Sequence, residues 1–302
     1  MNFDRDFRRK LVNIGMSLLA LACVGIAIVP LGDILYTSAV NGGRVLSVRF
    51  LTQNQPLPCN PQFQSGCSFG GVANSIQGTL IMIGIASLIA IPIGILAGIY
   101  LSEYGDNRFG RFARFLTDVL AGVPSIVLGV VVFALVFLLA QNDYIPTSYV
   151  VSVLSASIAL AFVMLPIVAR TCEEALRAVP TATREAALAL GLPRHRMVTR
   201  IVLSTGRSAV VTGGLLAVAR AGGETAPLLI LNAGSQFPFV PAEGLHQQTA
   251  SLTASIYTWV QSAYPNWQDD AWGATLILVI IMLAISVAAR LALRSRYGGP
   301  GM

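Results

Sequence analysis

Apolar residues gather into six runs, at about residues 11–31, 79–101, 119–140, 149–168, 209–231 and 271–289. Each is close to the ~20 residues that cross a hydrocarbon core of ~30 Å as a helix. The polar connectors between the runs are unequal. Residues 32–78 form a long, turn-rich segment, and residues 237–270 carry Leu252, Ile256, Trp259 and Val260 at helical spacing, which predicts a short amphipathic helix packed on one mouth of the bundle. Residues 170–207 are too polar to span and too patterned for a linker. Within them, 182–190 is rich in strong helix formers, Gly191 suits the left-handed position past a helix end, and Pro193 can open a second helix. The expected local structure is a helix, a sharp corner and a second helix.

Composition agrees with a bilayer setting. Of 302 residues, 55% are hydrophobic and 11% charged, with mean hydropathy +0.70, whereas a soluble domain carries about 25% charged residues. Seventeen arginines and lysines fall at the chain ends and in the segments after the second and fourth runs, against only Arg44 and Arg49 in the other loops. The positive-inside rule then puts both termini in the cytoplasm. The net charge of +6 reads as membrane topology, with the lipid bilayer and no nucleic acid as its counterpart. Ala22 before Cys23 faintly resembles a lipoprotein cleavage site, but the apolar run continues through Val29, so it is expected to stay as a helix.

Several chemistries are excluded. Lys10 is the single lysine and follows Arg9, so no Walker A loop is present. His195 and His246 are too far apart for a two-histidine zinc helix, and the string Gly66, Ser68, Gly70 sits in a turn-rich loop without the strand-turn-helix setting of a nucleophile elbow. No catalytic and no metal residue is expected. Cys59 and Cys67 lie in the first outer loop as a bridged pair or as two free thiols; a bridge there contributes about 2.5 kcal/mol in the chain-entropy model. Cys23 and Cys172 read as reduced structural residues, and Gly94 with Gly98 as a small-residue pair that admits another helix. Arg220 and Glu224 stand four apart, midway along the fifth run, where ionisable groups are costly and functional by default. They form either an ion pair that closes the bundle or part of an anion path, since arginine offers a fork of donors matched to phosphate oxygens. Ser125, beside the helix-kinking Pro124, and Thr225 supply hydroxyls near the same route.

Residues 180–204 read PTATREAALALGLPRHRMVTRIVLS. Glu185, Ala186 and Ala187, then Gly191 after three residues, Ile201 after nine more, and Leu203 resemble the cytoplasmic signature of ABC importer permeases with the type I transmembrane fold; Ser204 stands where that family prefers Pro. With LAGVPSIVLG at 120–129 and GETAPLL at 223–229, the chain is similar to phosphate-specific importer permeases of the PstA-like kind over roughly residues 74–289. The resemblance implies an all-α polytopic membrane protein with six transmembrane helices in the MetI-like permease fold. It implies three parts: residues 1–74 with the first span and outer loop, 75–290 as the transport domain with its coupling loop at 170–207, and a tail at 291–302. The helix around Arg184, Glu185, Ala186 and Ala187 would be the coupling helix that docks on a separate ATPase, and Gly191 its turning point. A PstC-like permease, a PstB-like ATPase dimer that binds the ATP, and a PstS-like periplasmic phosphate-binding protein would complete an importer in the bacterial inner membrane. No cofactor of its own is implied. The rivals are a permease for sulfate or molybdate, a membrane-embedded lipid-phosphate enzyme, and a passive channel.

Overall fold

The computed structural model describes residues 3–55, 70–231 and 236–297, among which every regular element is helical. Helix α1 (Phe3–Val45) and a short α2 (Val48–Thr52) precede the bundle. Then follow α3 (Ala73–Glu103), α4 (Arg108–Gly122), α5 (Ser125–Gln141) and α6 (Val153–Arg177). The expected corner is α7 (Thr181–Ala189) and α8 (Arg194–Met197), and a π turn at Val198–Val202 joins α8 to α9 (Leu203–Gly222). The chain closes with α10 (Ala226–Leu231), α11 (Leu252–Val260) and α12 (Pro265–Tyr297). Among the described residues five helices are long and apolar enough to span alone, and the bent pair α4–α5, taken as one broken span, is a sixth candidate. Cys59, Cys67, Gly66 and Ser68 lie outside the described residues, while Cys23 and Cys172 are free thiols.

At the centre is α6, buried along most of its length between α3, α5 and α9. The small-residue pair does what its spacing suggests. A Cβ at Gly98 would come within 2.5 Å of the Cys172 Cβ and 2.8 Å of the Ala169 carbonyl, and Gly94 meets Val168 in the same way. Backbone contact of this kind replaces the hydrophobic drive that lipid cannot supply. Met82, Ala86, Ala156, Leu160, Met164, Ala217 and Leu231 fill the core around it. By contrast α1 touches α12 only towards its carboxyl end, near Gly42 and Trp272, and is otherwise exposed along its apolar length.

Two expected spans are broken. The third does not run continuously over 119–140: α4 and α5 meet at 107° across Val123 and Pro124, both of which are extended. Proline cannot donate to the helix ladder and disfavours helical geometry in the residue before it. The fifth run, expected over 209–231, is interrupted at 223–225. Pro227 would clash with the carbonyl of Gly223, so α9 closes with tight bonds from Gly223 N to Arg220 O (3.0 Å) and Glu224 N to Ala221 O (3.2 Å) before α10 begins.

The expected outer helix is α11. Its first N–H, from Leu252, donates to Thr79 Oγ1 at 2.8 Å, Ser75 and Ser255 hydroxyls meet at 2.9 Å, and Trp259 is fully buried. It packs on the mouth of the bundle as part of the body of the protein.

Candidate functional site

The corner between α7 and α8 is built by backbone chemistry. Gly191 has φ +80°, its N–H donates to Leu188 O at 2.9 Å, and Leu192 N reaches Ala187 O at 3.3 Å. These two bonds are the Schellman pair that ends a helix with a left-handed residue. A Cβ on Gly191 would meet nothing within 4 Å, so only the backbone angle demands glycine here. Ala187 and Leu192 both join the cluster of Cys172, Leu176, Val179, Met197 and Val202, which fastens the corner to the end of α6. The other face of α7 is open: Glu185 and Ala186 are exposed, and Leu190 stands 82% exposed.

Arg184 behaves differently from the reading that placed it towards a partner. It is turned inward and only 16% exposed, with Nη2 at 2.9 Å from Glu103 Oε1 and 2.7 Å from Leu176 O, and Nη1 on Val179 O. Its work is within the chain, tying α7 to the ends of α3 and α6. Arg194 adds to this seat by donating to Glu103 O at 2.9 Å while lying 5.0 Å over the Tyr104 ring. Arg184→Ala leaves the buried Glu103 carboxylate unpaired, so a loss of about 3 kcal/mol is expected, with much of it restored by adding Glu103→Gln. Thermal unfolding of the detergent-purified chain checks this; equal stability of the single and double variants would show that the pair does not hold the corner.

A second ionic centre was not anticipated. Glu173, 3% exposed, accepts from Arg114 Nε at 2.7 Å and Arg170 Nη1 at 3.1 Å and forms an ion pair with Arg177, whose Nη2 lies 3.1 Å away, and Arg170 also meets Asp118. Arg114 further donates to Leu101 O at 2.6 Å and Gly105 O at 3.0 Å. This locks the α4 elbow to α3 and α6. The signal available in the sequence was an acidic residue at i+3 from Arg170 and i−4 from Arg177 within an otherwise basic loop.

In the fifth span the expected pair is present and straddles the break. Arg220 Nε lies 3.4 Å from Glu224 Oε1, with side chains 59% and 14% exposed. The cation sits in the last turn of α9, where the helix carbonyls favour it. Thr253 Oγ1 donates to Glu224 O at 3.1 Å, so α11 steadies the break from outside. Across it, Gly129 of α5 approaches Pro227 so closely that a Cβ there would lie 2.7 Å from the proline Cα. Thr225 is half-buried within the break and Ser125 half-buried at the first residue of α5; among the described residues no hydrogen bond links either to the ion pair.

The exposed face of α9 continues inward from Arg220 through Leu216, Thr212, Ala209, Ser208 and Thr205. Between this face and α6 runs a groove of about 640 Å³, also lined by Thr171, Ala175 and Glu174. Thr205 donates to Ile201 O and Thr212 to Ser208 O at 2.8 Å each, which leaves few free donors along this face.

A family model described as "Binding-protein-dependent transport system inner membrane component" matches residues 90–295. Among curated proteins, the chain is 40% identical over 229 residues to the phosphate transport system permease protein PstA of Xylella fastidiosa, covering 75% of this chain and 76% of that protein. The PstA of Yersinia pestis is 37% identical, covering 85% and 81%, and that of Haemophilus influenzae is 35% identical, covering 95% of both. Among solved structures, a bacterial alginate ABC transporter superposes with TM-score 0.66 at 14% identity over the full length of both chains. The inward facing MetNI methionine ABC transporter gives TM-score 0.60 at 18% identity over 74% of this chain and 95% of that one. These two likenesses show the permease fold. With that fold, a family match over most of its length and such extensive identity, the chain belongs to the binding-protein-dependent transport system inner membrane components, in the family of phosphate transport system permease proteins PstA.

Proposed function

We propose that the chain is the permease subunit of an ATP-driven importer of inorganic phosphate, and forms one half of the transmembrane path. One observation carries this: Arg220 lies at a break within a span, yet is 59% exposed on the surface of the single chain. A guanidinium facing lipid at that depth is costly, so a second permease and a polar path are the reasonable cover for it. Arg220, Glu224, Thr225 and Ser125 belong to the substrate path or its gate in this reading, and the α9 face from Thr212 to Thr205 carries the anion onwards. Few free donors there suits conduction, which needs binding weak enough to release.

The transport module is residues 75–290, following a first part at 1–74 and preceding a tail at 291–302. The partners are a PstC-like permease as the other half, a PstB-like ATPase dimer that binds and hydrolyses the ATP, and a PstS-like protein delivering phosphate from outside. The exposed alanine face of α7, with Glu185 and Ala186, docks on the ATPase; Ala187 and Arg184 fix that helix to its own bundle. Gly191 lets docking motion pass to α9 as a lever. Both termini lie in the cytoplasm, and the chain needs no cofactor of its own.

Two experiments test this. Tagged chain purified from its membrane should bring with it an ABC ATPase and a second, different permease, identified by mass spectrometry; a chain recovered with neither would contradict the assembly. For topology, cysteines at Thr181 and Gln247 should react with an impermeant maleimide from opposite sides, Gln247 in intact cells and Thr181 only after permeabilisation. Reaction of both from one side would reject the orientation.

A further inference from the structure

The outward side of α4 carries features that transport leaves unused. Residues 108–116 read RFGRFARFL, an Arg-Phe pair at every third position. The third arginine, Arg114, is spent inside the protein on Glu173, Leu101 and Gly105. The first two, Arg108 and Arg111, are exposed, and no ion pair or hydrogen bond holds either side chain among the described residues. Phe109, Phe112 and Phe115 are each more than half exposed, and Leu116 and Val119 nearly so. At 100° per residue these five fill an arc of roughly 120°, with Arg108 within it at the first residue of the helix and Arg111 beside its edge, while Gly110, Arg114 and Thr117 face the bundle. Phe109 meets the Tyr100 ring edge-on at 5.7 Å, and the rest of the apolar arc is open among the described residues.

We infer that α4 is an interfacial helix whose phenylalanines enter the lipid while Arg108 and Arg111 bind the headgroup phosphates of anionic phospholipids. The helix meets the spanning α5 at 107°, which lays it nearer to the plane of a membrane than to its normal. Beyond the bend, α5 likewise exposes the apolar residues Ile126, Val130 and Leu135. An alternation of aromatic residues with unpaired arginines is the composition that such helices use at anionic surfaces. The assignment to the cytoplasmic leaflet rests on the topology proposed above; the lipid chemistry does not. Because Arg114 and Asp118 tie α4 to α6, lipid held here also sets the depth of the α6 end on which the coupling corner sits.

The test uses the assembled complex in nanodiscs of phosphatidylcholine mixed with phosphatidylglycerol, with native mass spectrometry reporting which lipids stay bound. Near an anionic surface each arginine is worth about fivefold in association. Arg108→Gln with Arg111→Gln should therefore lower phosphatidylglycerol retention roughly 25-fold at low salt, and less as salt screens it. Neither arginine has a partner to lose, so thermal stability should hold. Unchanged phosphatidylglycerol retention in the double variant would overturn the proposal. So would loss of a partner subunit with lipid retention intact, since the face would then be a protein interface. Arg108→Cys, labelled by impermeant maleimide in intact cells, would refute the leaflet assignment while retention still decides the lipid site.

Discussion

Replacing Arg220 and Glu224 together by glutamine is expected to give a chain that folds and assembles at normal abundance and takes up phosphate roughly 10- to 100-fold more slowly. The magnitude is that of removing a charged donor from a bound anion, about 1.5 to 3 kcal/mol. The argument turns on an asymmetry in the pair: Glu224 is mostly buried and Arg220 mostly exposed. A pair serving only the bundle would bury both partners. Here the guanidinium meets Glu224 through Nε while the side chain stays 59% exposed. Arg220→Gln alone strands the carboxylate and should lower abundance, which adding Glu224→Gln restores. Arg220→Lys keeps charge but loses the planar fork, and should recover only part of the uptake. If the double variant transports like the parent, normalised to assembled complex, Arg220 is scaffolding.

Gly191→Pro is expected to abolish coupling, with uptake falling at least about tenfold, because φ +80° is out of reach of a ring fixed near −65°. Proline also removes the N–H that bonds Leu188 O. Space is available for a side chain, so the size of the residue is not what matters. Gly191→Asn, which tolerates the left-handed region, should therefore transport nearly as well as the parent, and Gly191→Val should fall between. Uptake per assembled complex, measured beside the ATPase response to the binding protein, checks the series. Normal uptake by the proline variant at normal abundance would remove Gly191 from the lever.

Much of this fold was legible because apolar runs and corner chemistry are local. The corner after α7 is a case in point: the helix formers at 182–190, Gly191 and Pro193 each act within a few residues, and the structure has α7, a left-handed Gly191 and a new helix after Pro193. The breaks were harder to see. Residues on both sides of 223–225 are apolar, so hydropathy reads one span, although Pro227 already forbids a continuous helix. Pro124 signalled a kink, but its angle depends on α4 being held by Glu173, 59 residues from Arg114. Arg184 shows the same limit. Its flank position on an exposed helix suggested an outward contact, and only the fold brings Glu103, 81 residues away, beneath it. Local pattern fixes elements, while the partners of long charged side chains are set by tertiary neighbours.

The central claim is that this chain, with its partners, moves phosphate at the expense of ATP. It is tested most directly by reconstituting the purified complex in proteoliposomes with its binding protein and following radiolabelled phosphate. The account predicts accumulation that requires ATP and is competed by unlabelled phosphate but not by sulfate or molybdate. Transport without ATP, or competition by sulfate as strong as by phosphate, would contradict it.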